Sequence, residues 1–216
     1  MVAARNEEER LGQTLAALRS AFPDARLIVA DDASTDRTPD IAREAGAELV
    51  RTERRRGKGG ANTPAAQRAL DAKPHAILLC DGDLGVSAAS LTALVETVVK
   101  GEADLAIGKF ARRVGGGFGI ALKSSRRTVE KRAGRRLEAP LSGQRALTPE
   151  ALRAALPFAP GFGMETAMDI DALRAGLTVR ELELDLEHRA TGRTAAGFAH
   201  RARQLLDIAR VYVSRR

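Results

Sequence analysis

Residues 76–85 read AILLCDGDLG, and the fold turns on how that stretch is read. Ala76, Ile77, Leu78 and Leu79 are apolar, and Cys80 behaves as a small hydrophobe. The run therefore reads as a strand covered on both faces, the pattern of a parallel sheet lying between helices. It ends in Asp81 and Asp83 with one glycine between them. Two carboxylates at the mouth of a core strand repel each other and resist desolvation, so they need a partner. If the chain stays extended across Gly82, the two side chains point to the same side. They then form a hard oxygen site suited to Mg²⁺ or Mn²⁺, completed by phosphate oxygens. The alternative is a turn in which an aspartate caps the following segment.

Working outward, the first hundred residues alternate short apolar runs with helical periods. Residues 2–4, 26–30, 47–51, 76–80 and 104–108 read as five strands. Between them, Leu11, Leu15, Leu18 and Phe22 mark one helix face, and Asn6 followed by Glu9 resembles a capping box in front of it. A turn (DDASTDRTPD) feeds a helix that stops at Gly46, the loop RTERRRGKGG feeds another that runs to about Ala72, and 88–100 is a third. Repeated β-α units predict an α/β fold with a mostly parallel central sheet flanked by helices. Ligands of such sheets sit beyond the carboxyl ends of the strands, so the loops after strands 1, 2 and 4 (Arg5–Glu8, Asp31–Asp36 and Asp81–Gly85) should converge on one site. After Gly108 the pattern changes to a glycine-rich loop (VGGGFG, 114–119), a basic helix over 122–138, a short strand or turn at SGQRALT (142–148), and a loop-to-helix PGFGMETAMDIDALRAG (160–176). An alternating strand (VRELELDLEHR) and an amphipathic terminal helix over 195–213 follow. No repeat or linker divides the 216 residues, so one domain is expected, with residues 1–108 as one half and 109–216 as the other.

Composition narrows the function. Aromatics make up 3% of the chain with no Trp, which argues against a base-stacking nucleic-acid platform. A single cysteine cannot form an internal disulfide or a cysteine-based zinc site, and points to a reducing cytoplasm. No apolar run is long enough to span a membrane. The net charge is +7, but residues 109–145 hold eleven Lys and Arg against two Glu, a net +9, which leaves the rest at −2. One basic segment on a near-neutral chain asks for a local anionic partner.

The remaining candidate residues each have a bland reading beside the functional one. A carboxylate of Asp31-Asp32 can accept from a nucleobase N–H or a ribose hydroxyl, while Ser34, Thr35 or Asp36 cap the next helix. The glycines around Lys58 let backbone N–H groups approach a phosphate at a helix N-terminus, although the P-loop spacing is missing; otherwise this is a solvated charged loop. Glu165 opens a helix after Gly161-Phe162-Gly163, either as an acid favoured by the dipole or as a base for an acceptor hydroxyl. Asp169 and Asp171 are weaker candidates. A lone histidine such as His188 is more often a satisfied polar residue than a ligand.

VAARNEEERL, IVADDASTDRT, RGKGGA and LLCDGDLG, in that order and spacing, resemble family-2 glycosyltransferases of the GT-A fold, with similarity to the dolichol-phosphate mannose synthase and glucosyl-3-phosphoglycerate synthase branches. Ala3 departs from that pattern, standing where the family usually has Pro. The resemblance implies a nucleotide-sugar donor (UDP- or GDP-sugar), with Glu7, Asp31 and Asp32 facing the nucleoside, Lys58 the diphosphate, Asp81 and Asp83 the ribose and cation, and Gly82 also in the nucleotide-sugar site. It implies Asp83 as the more direct ligand of Mg²⁺ or Mn²⁺, His188 as a second ligand, and Glu165 beside the reacting sugars. The basic segment resembles the acceptor region of polyprenyl-phosphate transferases, with Arg126, Arg127 and Arg145 as first choices for an anionic acceptor, since guanidinium binds phosphate bidentately. PLSGQ resembles the acceptor loop of the phosphoglycerate-using branch. A polyprenyl phosphate acceptor would make the basic helix and the terminal helix (Leu205, Leu206, Ala209, Val213) peripheral membrane elements; a small phospho-acid would leave them as pocket, core or homodimer contact. A sugar-nucleotidyltransferase and a non-catalytic anion-binding module are the readings from other classes.

Overall fold

A computed structural model describes residues 1–111, 119–186 and 195–215 of the chain, the last stretch with side chains from residue 203. Seven strands form one sheet: β1 (Val2–Ala4), β2 (Ile28–Asp31), β3 (Glu48–Arg51), β4 (Ile77–Asp81), β5 (Leu105–Phe110), β6 (Arg145–Leu147) and β7 (Val179–Leu184), in the order β3-β2-β1-β4-β6-β5-β7. All neighbours are parallel except β6, which runs antiparallel between β4 and β5. The mostly parallel α/β sheet expected from the sequence is therefore present, with one reversed strand wedged into its middle.

The doubly covered strands explain themselves by their two-residue period. Ile77 and Leu79 of β4, Ile28 and Ala30 of β2, and Leu105 and Ile107 of β5 enter one apolar cluster. Cys80, Val29 and Ala106, one residue out of phase, enter the other. Helices α3 (Gly57–Asp71), α5 (Ile120–Ala133), α6 (Pro149–Ala155) and α7 (Met164–Arg174) cover the first face, joined by Val211 of α8 (Ala195–Ser214). Helices α1 (Leu11–Ala21), α2 (Thr38–Glu44) and α4 (Thr92–Val99) cover the second. Cys80 is buried, and desolvation pushes its thiol up to about 12, so it stays a core residue rather than a nucleophile.

Several local expectations change. The capping box fails: Asn6 adopts a φ of 56°, and its side chain accepts from the Thr35 N–H instead of capping α1. The helix expected at 88–100 begins as a 3₁₀ stretch, Gly85–Leu91, before α4. The basic helix ends at Ala133 rather than 138, because Gly134 takes a left-handed φ of 71° and closes it. Helix α6 was legible but unread: Thr148 caps it, accepting from the Ala151 N–H at 3.1 Å, and Pro149 starts it. On the terminal helix, Ile208 and Val211 turn inward, while Leu206, Ala209 and Val213 face solvent and Leu205 is half-buried.

Candidate active site

The loops at the carboxyl ends of β1, β2 and β4 are stitched together, as expected. Asn6 N–H donates to Ser34 Oγ at 3.0 Å, Glu7 N–H to Thr38 Oγ1 at 2.8 Å, and Glu8 N–H to Asp36 at 3.2 Å. The β4 loop joins from the other side. Gly82 N–H donates to Ala3 O at 2.9 Å, Thr14 Oγ1 donates to Gly82 O at 2.9 Å, and Arg10 reaches the Asp83 carbonyl at 3.2 Å. Glu7 is half-buried where this stitched loop enters α1.

The chain does not stay extended across Gly82. Strand β4 ends at Asp81, and Gly82 and Asp83 form a turn, so strand alternation does not set how the two carboxylates are directed. Both remain half-buried at the strand end. Their hard oxygens fit a divalent cation that also takes phosphate oxygens. Among the described residues, no group of three or more His, Cys, Asp or Glu side chains could hold a metal by itself. His188, expected as a ligand, lies outside the described residues, as do Arg112 and Arg113.

Three residues far apart in sequence meet at one ammonium. Lys58 Nζ lies 2.6 Å from Asp81 Oδ1 and 2.7 Å from Glu165 Oε1. Lys58 is on the first turn of α3, Asp81 ends β4 and Glu165 sits in the first turn of α7. Burial opposes the ammonium charge, but the two carboxylates outweigh it and hold Lys58 well above its ordinary pKa. Glycines set the close packing around the turn before α7: a Cβ on Gly59 of α3 would collide with the Ala159 carbonyl, and one on Gly161 with the Asp207 carboxylate of α8. Asp207 of α8 also accepts from the Phe162 N–H at 3.0 Å, so α8 clasps the Gly161–Gly163 turn that presents Glu165.

The two aspartates after β2 hold loops. Asp31 is fully buried, accepts from Ser34 through its backbone N–H and hydroxyl, and pairs with Arg51 at 3.1 Å. Its carboxylate is thus taken up by the loop it holds. Asp32 is nearly buried, and its two oxygens accept from Arg56 N–H at 2.6 Å and Gly57 N–H at 2.9 Å. These are donors at the entry to α3, so a carboxylate of the protein itself already sits where the sequence suggested a phosphate.

Arg145 is drawn inside the protein. It is 1% exposed, pairs with Asp169, and donates to Ser142 O at 2.8 Å. Turning it toward an acceptor would strand the buried Asp169 charge, at a cost of about 3–5 kcal/mol. Arg126 donates twice to the Glu138 carbonyl, at 2.9 and 2.6 Å. Arg127 is exposed and faces elsewhere, into a surface cavity of about 420 Å³ between α5 and α8 with Ile120, Lys123, Lys131 and Tyr212. The three arginines thus do not converge.

Sequence reasoning missed Gly143 and Gln144 as parts of this site. Gln144 Nε2 donates to Asp81 Oδ2 at 2.8 Å, and its Oε1 accepts from the Asp81 N–H at 3.1 Å. A Cβ on Gly143 would collide with Asp81 Oδ2 and Lys58 Nζ. The signal was in PLSGQ, read there as acceptor loop.

With this geometry in hand, comparison with known proteins is informative. The sequence profile of Glycosyl transferase family 2 matches residues 1–151. The undecaprenyl-phosphate mannosyltransferase of Micrococcus luteus is 30% identical over 203 residues, 87% of this chain and 82% of that protein. Glycosyltransferase AglJ of Haloferax volcanii is 28% identical over 172 residues, 76% of this chain, which spans only 56% of that protein's length. Among solved structures, glucosyl-3-phosphoglycerate synthase from Mycobacterium tuberculosis in complex with phosphoglyceric acid superposes with a TM-score of 0.77 at 28% identity, covering 99% of this chain and 78% of that one. The same enzyme with Mn²⁺, UDP-glucose and phosphoglyceric acid gives 0.75 at 27% identity, with 99% and 77% covered.

Proposed function

The chain belongs to glycosyl transferase family 2, and from that premise we propose that it moves a sugar from a nucleotide-sugar to a phosphorylated acceptor at the carboxyl ends of β1, β2 and β4, with Mg²⁺ or Mn²⁺. The observation that carries the reading is the Lys58 ammonium held between Asp81 and Glu165. A nucleoside diphosphate needs cationic charge at this strand end, and Lys58 supplies it there. Asp81 and Asp83 would hold the divalent cation, which supplies Lewis-acid neutralisation of the leaving diphosphate. Lys58, turning to the diphosphate, would release Glu165 to accept from an acceptor hydroxyl or to orient the acceptor. Glu7 borders the nucleoside side, and Asp32 shapes that side by fixing the Arg56–Gly57 turn. The UDP-glucose and Mn²⁺ of the mycobacterial structure support the donor class.

The acceptor reading rests on Arg127 and its surroundings rather than on three converging arginines. Of the described large hydrophobics that are exposed, Ile120 of α5 and Tyr212 of α8 line one cavity with Lys123, Arg127 and Lys131, and Leu206 and Val213 lie exposed elsewhere on α8. Apolar side chains ringed by cations suit an anionic bilayer, and the Micrococcus relative's name specifies a polyprenyl phosphate. Phosphoglyceric acid in the mycobacterial structure supports the small-acid alternative.

A transfer assay tests both. The protein is incubated with Mn²⁺ and labelled UDP- or GDP-sugars, with either undecaprenyl phosphate in anionic vesicles or 3-phosphoglycerate. Label should reach one acceptor and disappear when metal is chelated. Release of pyrophosphate from a nucleoside triphosphate and a sugar phosphate, with no transfer, would instead establish a nucleotidyltransferase. Binding to anionic vesicles with no chemistry would favour a binding module.

A further inference from the structure

Strand β6 pairs with β4 through Leu79, Leu78 and Ile77, and the ladder stops at Arg145. One residue on, the Gln144 carbonyl accepts from the Gly108 N–H of β5 at 2.8 Å, so its main chain stays with β5. An Asp81 N–H left without a ladder partner at a half-buried strand end would cost the price of an unsatisfied donor. The Gln144 side chain fills that place with Oε1, and in the same geometry gives its NH₂ to the Asp81 carboxylate. Gln144 is 1% exposed, and both ends of its carboxamide pair with Asp81. Ser142 Oγ, bonded to the Gly108 carbonyl at 2.5 Å, anchors the turn before it, and Gly143 leaves room for the Asp81 and Lys58 side chains.

We propose that Gln144 is a positioning residue of the donor site: its single carboxamide fixes both the main chain and the carboxylate of Asp81, leaving Oδ1 directed at Lys58. The inference rests on the donor-site reading above and assigns to the reversed strand a task on the donor side. Gln144 acts through Asp81, which its carboxamide holds at both the main chain and the carboxylate.

The test uses the full chain and UDP or GDP with Mn²⁺ as probes. Gln144→Glu keeps the size and an oxygen for the Asp81 N–H, but sets a carboxylate against Asp81 Oδ2. The nucleotide dissociation constant should rise at least about tenfold, the scale of one charge-assisted hydrogen bond, and the unfolding midpoint without ligand should fall. Adding Asp81→Asn restores an amide–carboxylate pair with its ends exchanged, so the midpoint should recover while nucleotide affinity does not. A merely structural glutamine would lower the midpoint and leave affinity unchanged, which overturns the inference alone; so would a double variant whose midpoint loss is the sum of the singles. A wild-type protein that binds neither nucleotide overturns the donor-site reading and the positioning role together.

Discussion

Lys58 and Arg145 are both long cations drawn into the protein against carboxylates, yet their surroundings differ. The Arg145 and Asp169 side chains are 1% and 0% exposed, sealed between β6 and α7. Lys58 is 20% exposed, and its partner Asp81 33%, at the open ends of the strands. A sealed pair has no cheaper partner to turn to, because removing either charge leaves the other desolvated. A pair at the groove can exchange one anion for another, since water and ligand reach it. Residue type does not separate the two cations; the mouth of the sheet does.

That contrast can be broken by substitution. Arg145→Ala should have the largest effect, lowering stability by about 3–5 kcal/mol in denaturant unfolding, with loss of fold under mild heating and no specific change in donor affinity among molecules that remain folded. Asp169 adds a pH signature. Burial pushes its pKa up to about 7 although Arg145 pulls it down. Its folded value thus lies above an unfolded value of roughly 3.9, so the native state holds a proton that the unfolded chain has released. The stabilising contribution is complete below about pH 4 and is lost as pH rises toward about 7. The unfolding midpoint in denaturant should fall across that window, and Asp169→Asn should flatten the slope.

Lys58→Met comes next. It should weaken binding of the nucleotide diphosphate by about 10–100-fold, the range for lost hydrogen bonds to charged groups, as read by calorimetric titration. Its unfolding midpoint should fall less than that of Arg145→Ala: Glu165, 6% exposed, loses its cation, but Asp81 keeps Gln144 and partial solvent. An Arg145-sized loss of stability with unchanged nucleotide affinity would erase the distinction between the two cations. The smallest stability effect belongs to Lys123→Glu with Arg127→Glu and Lys131→Glu on the exposed face of α5. Unfolding should shift by no more than about 0.5 kcal/mol per site, while co-sedimentation with anionic vesicles is lost. Retained vesicle binding would remove this face from the acceptor reading.

Much of the fold was legible because buried parallel strands write themselves as apolar runs, and β4 was found within a residue of its observed bounds. Strand β6 was less so: three residues flanked by Ser, Gly and Gln carry no strand signature, and its place between β4 and β5 comes from the tertiary fold. Asn6 looked like a cap because composition does not reveal a left-handed φ. At the site, Lys58, Asp81 and Glu165 were each legible, but not their meeting, since 58, 81 and 165 are joined only by how α3, β4 and α7 pack. Arg145 was misread because a run of positive charge says nothing of which member lies opposite Asp169. Gln144 was passed over because a neutral amide has no chemistry of its own until its partner is known.

On the proposed function, the Lys58–Asp81–Glu165 cluster receives a nucleotide-sugar with a divalent cation. Calorimetric titration of UDP-glucose, GDP-mannose and their nucleoside diphosphates into the wild-type chain, with Mn²⁺ and with chelator, tests it most directly. Saturable binding of one nucleotide series with Mn²⁺, lost with chelator and weakened by Lys58→Met, is the predicted result. Absence of binding by every nucleotide in the presence of Mn²⁺, or binding indifferent to both metal and Lys58, would contradict it.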